Sequence, residues 1–159
     1  MKIAVIGANG KSGTLVVREA VERGHEVTAI MRSEHPTQAQ HTLIKDVFAL
    51  TRSDLLGFDA VVDAFGAWTP ESLHLHKDHL IHLADALRIR EDVAWTYLSP
   101  ALVFNPEGER TGEYQLAGDV LTMNAAGQSE ISYADFAVAV LDLIESGEHQ
   151  RERVSVVSR

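Results

Sequence analysis

The run Lys2-Ile3-Ala4-Val5-Ile6-Gly7-Ala8-Asn9-Gly10-Lys11-Ser12-Gly13 decides the fold. Its apolar, partly β-branched start stops at a glycine, which reads as a short strand buried on both faces. From Thr14 the period changes. Val17, Ala20, Val21 and Gly24 recur at helical spacing, Arg18, Glu19, Glu22 and Arg23 take the opposite, solvated face, and Gly24 is the natural stop. Residues 26–31 (Glu-Val-Thr-Ala-Ile-Met) form a second strand, so the first thirty residues make one βαβ unit. Glycines at its first turn let the chain turn tightly, let the backbone approach a pyrophosphate, and let the helix pack close to the sheet. The helix N-terminus adds free N–H groups and a positive dipole end. This is a dinucleotide loop. It is not a Walker loop, because no glycine stands five positions before Gly10.

The end of the second strand bears on which dinucleotide is bound. An acid there bonds the ribose 2′-hydroxyl of NAD and repels a 2′-phosphate. Arg32 and Ser33 stand there instead, and an arginine fork matches a phosphate, with Lys11 or Ser12 assisting. NADP is the expected cofactor. NAD stays open through Glu34, which supplies the acid if the strand runs longer.

Downstream, residues 32–40 are polar and aperiodic, 42–45 suit a short strand, and 60–65 form an apolar strand ending at Gly66. Pro70 opens a helix over 71–90, followed by a strand over 93–98 stopped at Ser99-Pro100. The region after Pro106 is glycine-richer, and residues 114–116, 120–123 and 129–131 read as short hairpin strands. Ser132 and Asp135 have the spacing of a helix N-terminal capping pair, leading into a helix over 136–145 that Gly147 stops. Residues 153–157 form the last strand. The alternation predicts one α/β domain over 1–159, a Rossmann-like, doubly wound, mostly parallel sheet with a small C-terminal hairpin region.

Several of these stretches together resemble a known family. The Gly7-x-x-Gly10-x-x-Gly13 loop, Asp46-Val47, Ala64-Phe65-Gly66, Trp95-Thr96-Tyr97-Leu98-Ser99-Pro100, Gly108-Glu109-Arg110-Thr111-Gly112-x-Tyr114 and Ile131-Ser132-x-x-Asp135-x-Ala137 are similar to the atypical short-chain dehydrogenase/reductases. Within that group the chain resembles the NAD(P)H-flavin reductases, the biliverdin reductase B-like proteins and the NmrA-like NAD(P)-binding proteins. The resemblance implies that Asp46 and Val47 bracket the adenine and that 64–67 run under the nicotinamide ribose. It also puts Ser99 and Pro100 near the nicotinamide amide. The cofactor set is then Gly7, Asn9, Gly10, Lys11, Ser12, Gly13, Arg32, Asp46, Val47, Ala64, Phe65, Gly66, Ser99 and Pro100. Arg110 and Thr111, with Trp68 as a wall, border the substrate. Asp46 also suits a turn cap, Ser99-Pro100 a strand end, and Arg110 a solvated charge. The implied activity is hydride transfer from NADPH to a flavin-like or quinone-like acceptor, with FMN or riboflavin as substrate. The alternative is a redox sensor that holds NADP(H) without chemistry.

Family members carry a further strand and helix before the Trp-Thr-Tyr-Leu-Ser-Pro strand, whereas here Asp92 runs directly into Val93. The resemblance therefore implies that one internal segment is lacking, with part of the nicotinamide and substrate wall. The sheet is still expected to close through the 71–90 crossover.

Other chemistries find no residues. Tyr97, Tyr114 and Tyr133 are followed four positions on by Ala101, Gly118 and Ala137, so the Tyr-x-x-x-Lys pair of alcohol dehydrogenases is missing. A conjugated acceptor does not need it, since solvent can supply the proton. His74, His76, His79 and His82 have spacings that suit Zn or Ni, but no Glu completes a metalloprotease motif, and they read as the wet side of a helix with no metal. No cysteine excludes thiolate catalysis and disulfides and fits a cytoplasmic setting. A formal charge of -9 without a basic run excludes nucleic acid and anionic membranes as partners. The expected partner is a small-molecule substrate, on a monomer or homodimer.

Overall fold

The computed structural model describes residues 1–65, 89 and 91–159. The helix expected over 71–90, with Gly66, Trp68 and the four clustered histidines, lies outside the described residues. The leading βαβ unit forms as predicted: β1 Lys2–Ile6, α1 Lys11–Glu22 and β2 Glu26–Met31, followed by β3 His41–Ile44 and β4 Ala60–Asp63. These strands are all parallel, in the order β3-β2-β1-β4. Apolar side chains cover both faces of β1. Ile3 and Val5 pack with Val16, Val17 and Ala20 of α1, while Ala4 and Ile6 pack with Ile30, Leu43, Val47 and Leu50.

The second half is built from β5 Thr96–Pro100, β6 Val103–Asn105, β7 Tyr114–Ala117, β8 Glu130–Ser132, α2 Tyr133–Ser146 and β9 Glu152–Ser158. Three strands form a sheet in the order β5-β9-β7, and β6 pairs with β8. The short strands expected to form hairpins pair elsewhere. β7 lies antiparallel to β9, β8 lies parallel to β6, and residues 120–123 form no strand. Sequence adjacency had suggested local pairing, but the apolar Val154, Val156 and Val157 of β9 offer a better-buried partner for the edge.

The expectation of one closed sheet is also corrected. Among the described residues β4 pairs with β1 and β5 pairs with β9, in separate sheets. A crossover of sufficient length lets the chain return in the parallel sense, but it does not fix which strand it returns beside. Helix α2 joins the two halves instead. Ala137 and Leu141 enter the core around β1 and α1, and Ala139 packs with Ile131 and Val156 of the second. Ser132 caps α2, its hydroxyl accepting from Asp135 N at 2.9 Å, and Gly147 closes it at φ 65°. No helix among the described residues is long and apolar enough to cross a membrane.

Candidate functional site

The site is built at the C-terminal end of β1. Gly7 takes φ +72°, and its N–H, like that of Ala8, donates to the Ile30 carbonyl at the end of β2 (3.1 and 3.4 Å). The Gly10 N–H returns to the Gly7 carbonyl at 2.9 Å, and the Thr14 hydroxyl holds the Ala8 carbonyl at 3.1 Å. Two contacts explain the glycines. A Cβ on Gly7 would meet the Ala64 and Phe65 backbone at 3.2 Å, and one on Gly13 would stand 2.2 Å from the Gly7 carbonyl oxygen. Helix α1 thus begins pressed against the turn. Its N-cap is Gly10, with no side-chain cap and no acid in the first turn. Lys11 is exposed and Ser12 buried. Nothing in that first turn competes with an anion for the N–H groups.

The other predicted cofactor residues converge only in part. Asp46 and Val47 follow β3. The Asp46 carboxylate accepts from Phe48 N at 2.9 Å and caps the short turn Val47–Ala49. The Phe48 ring meets the Phe65 ring edge-on at 6.2 Å, which draws this turn to the end of β4, where Ala64 abuts Gly7. Arg32 is exposed just beyond β2 and two residues past the Ile30 carbonyl that anchors the glycine turn. Beside it Met31, Glu34, His35, Pro36, Thr42 and Ile44 line an open cavity of about 380 Å³. Ser99 and Pro100 belong to the other sheet, and the buried Ser99 hydroxyl accepts from Arg153 Nε at 2.9 Å.

The segment after Asp46 is held by a charge pair. Asp54 accepts from Lys45 Nζ and from the Thr51 N–H and hydroxyl, all at 2.7 Å, and Lys45 with Thr51 lowers its carboxyl to about 2. A depressed pKa means that the contact's contribution is complete above the ordinary value of 3.8 and is lost only as pH falls through about 2. An NMR titration of the Asp54 carboxyl should therefore show a midpoint near 2. A midpoint in the ordinary aspartate range would mean that Lys45 is not bound to it in solution.

Arg110 and Thr111 are engaged with the helices. Arg110 donates twice to Glu19 on α1, at 2.9 and 2.8 Å. Asp135, 2% exposed, accepts from the N–H groups of Thr111 and Gly112 and from the Thr111 hydroxyl. Asp135 is thus more than the capping partner its spacing suggested. Glu19, read as solvated, is 4% exposed. Its spacing to Arg23, four residues on, was the available signal, and the two pair at 2.9 Å.

Neither Tyr114 nor Tyr133 is prepared for proton transfer. The Tyr114 hydroxyl donates to Asp142, and burial first and then that carboxylate raise its pKa. Burial also raises Tyr133, which stacks on Phe104. Among the described residues no group of three or more His, Cys, Asp or Glu is placed to hold a metal.

No sequence-family model matches the chain. The uncharacterized protein YwnB of Bacillus subtilis (strain 168) is 40% identical, with 99% of each chain covered. The crystal structure of SP1627 from Streptococcus pneumoniae TIGR4, a candidate NADH-flavin reductase, is also 40% identical, with a TM-score of 0.90 over the whole of both chains. The chain belongs to the atypical short-chain dehydrogenase/reductase, NmrA-like NAD(P)-binding family. Within the wider fold, a short-chain dehydrogenase/reductase of Veillonella parvula DSM 2008, solved in complex with NADP, superposes with a TM-score of 0.70 at 12% identity, covering 99% of this chain and 94% of that one. That likeness shows the shared Rossmann architecture. The match to YwnB runs over 211 aligned residues, against the 159 of this chain.

Proposed function

We propose that the protein is an NADPH-dependent reductase that passes hydride from the nicotinamide to a flavin-like or quinone-like acceptor. The observation that carries this reading is the uncapped, glycine-lined turn at the head of α1, with Arg32 at its rim. The N–H groups of Lys11, Ser12 and Gly13 would receive the pyrophosphate, and Lys11 would add a charge. Asn9 and Gly10 would shape the turn and Arg32 would take the 2′-phosphate. Asp46 and Val47 would border the adenine, Ala64, Phe65 and Gly66 the nicotinamide ribose, and Ser99 with Pro100 the amide. Trp68, Arg110 and Thr111 would border the acceptor, the last two through their backbone, since their side chains face Glu19 and Asp135. When bound, the reduced nicotinamide supplies a hydride from its C4 to an electron-poor ring. The acceptor would take up those two electrons, and water would supply the balancing proton. The raised pKa values of Tyr114 and Tyr133 agree with a reaction that asks no tyrosine for that proton.

A second reading, a sensor that holds NADP(H) without turnover, is favoured by the 211-residue span of the match to YwnB and by the separation of β4 from β5. A strand and helix lacking before Val93 would account for both and would remove part of the nicotinamide wall. One experiment separates the readings. The purified protein is titrated with NADPH and NADH by calorimetry, then FMN is added and absorbance at the reduced-nicotinamide band followed. Binding with decay supports the reductase, binding without decay identifies the sensor, and absence of binding rejects both.

A further inference from the structure

Glu19 is a carboxylate in an almost fully buried position, held by two arginines from different parts of the chain. Arg23 Nε donates to its Oε1 at 2.9 Å, Arg110 Nη2 to Oε1 at 2.8 Å, and Arg110 Nε to Oε2 at 2.9 Å. A buried charge of this kind adds little net stability, because desolvation offsets the attraction. What it fixes is position. Arg110 stands on the loop joining β6 to β7, and that loop is itself pinned at two further points. Gly108 lies so close to the α2 cap that a Cβ would come within 2.6 Å of the Ser132 Cβ, and Asp135 takes both N–H groups of Thr111 and Gly112. The loop is therefore rigidly mounted on the start of α2. Through Arg110 it grips α1 at Glu19, about 9 Å along the helix from Gly13. At Gly13 the helix has no slack, since its Cα hydrogens face the Gly7 carbonyl across a gap too small for a methyl group. A shift of α1 by a few tenths of an ångström at Glu19 is transmitted to that contact.

We propose that Arg110, acting through Glu19, is a positioning residue for the dinucleotide turn: it sets where α1 lies and so holds Gly7, Gly10 and Gly13 in their binding geometry. The proposal rests on the reading of that turn as the dinucleotide site, and it gives the side chain of Arg110 a role on the cofactor side through the helix, while its backbone keeps its place on the acceptor side. The side chain of Arg110 is 47% exposed, and Arg23 still pairs with Glu19 when it is truncated.

The test uses the full chain, without ligand first. Amide hydrogen exchange is measured by NMR at Gly10 and Thr14, whose N–H groups close the turn onto the Gly7 and Gly10 carbonyls, with Ile3 and Val5 in β1 as internal references. Arg110→Ala should accelerate exchange at Gly10 and Thr14 about tenfold and leave β1 unchanged, and Arg110→Lys should restore much of the protection. In calorimetric titration the NADPH dissociation constant should rise about fivefold in Arg110→Ala and recover in Arg110→Lys. Unchanged exchange at both turn amides overturns the proposal. So does uniform acceleration that includes β1, which would mark a general loss of stability. Failure of the wild-type chain to bind NADPH would reject the cofactor reading, while the exchange result would still decide the role of Arg110.

Discussion

Gly13→Ala is expected to lower the melting temperature by about 10 °C, corresponding to about 3 kcal/mol for a chain of this size, and to weaken NADPH binding by about a hundredfold. The added methyl would stand 2.2 Å from the Gly7 carbonyl oxygen, 2.9 Å from its carbon and 3.0 Å from the Ala8 Cα. All three are backbone atoms, so no side chain can swing aside. Either α1 moves away from the turn or the turn itself opens, and both displace the N–H groups that would receive the pyrophosphate. The comparison variant is Gly24→Ala. Gly24 has φ +82° and nothing within 4 Å of a Cβ, so its cost is the left-handed conformation alone, roughly 1 kcal/mol. NADPH affinity should be untouched there. Differential scanning calorimetry and NADPH titration on both variants check the claim, and a Gly13→Ala protein binding NADPH within threefold of wild type would show that the turn is not the pyrophosphate site.

The same glycines explain how much of the site was legible in the sequence. A strand, a glycine turn and a helix occupy contiguous residues, so their geometry follows from local chemistry: positive φ at Gly7, close packing at Gly13, helical period from the first turn onward. Ser132 and Gly147 were legible at the ends of α2 for the same reason. Contacts between distant segments were not. The polar stripe containing Glu19 has the composition of a solvated face, and it is the arrival of Arg110, 91 positions away, beside the local Arg23 that makes burial of that carboxylate tolerable. Asp135 has the spacing of a cap, while its carboxylate serves a loop 23 and 24 positions earlier. The short strand β6 was missed because Val103-Phe104-Asn105 is too brief to show a period, and its pairing with β8 is fixed only in three dimensions.

Arg32→Ala should weaken NADPH binding between about tenfold and a hundredfold while leaving NADH within twofold, because charged hydrogen bonds to a phosphate contribute roughly 1.5–3 kcal/mol and NADH has no phosphate to lose. The backbone fixes the position. The Ile30 carbonyl receives the N–H groups of Gly7 and Ala8, and the Met31 carbonyl receives that of Lys45, so the last residues of β2 are tied to the turn on one side and to β3 on the other. Arg32 is the next residue, exposed at the rim. Ionic strength gives an independent check. A guanidinium and a phosphate at an exposed rim are screened over about 10 Å at 0.1 M salt, so the preference for NADPH should shrink as salt rises in wild type and show little salt dependence in Arg32→Ala. Glu34 supplies the opposing case. It lines the adjoining cavity with His35 and Thr42, and an acid there suits a ribose hydroxyl. Were Glu34 the reader of the ribose, the wild type would prefer NADH, Glu34→Gln would erase that preference, and Arg32→Ala would weaken both cofactors equally. Titration of the two single variants with both nucleotides decides between a phosphate read by Arg32 and a hydroxyl read by Glu34.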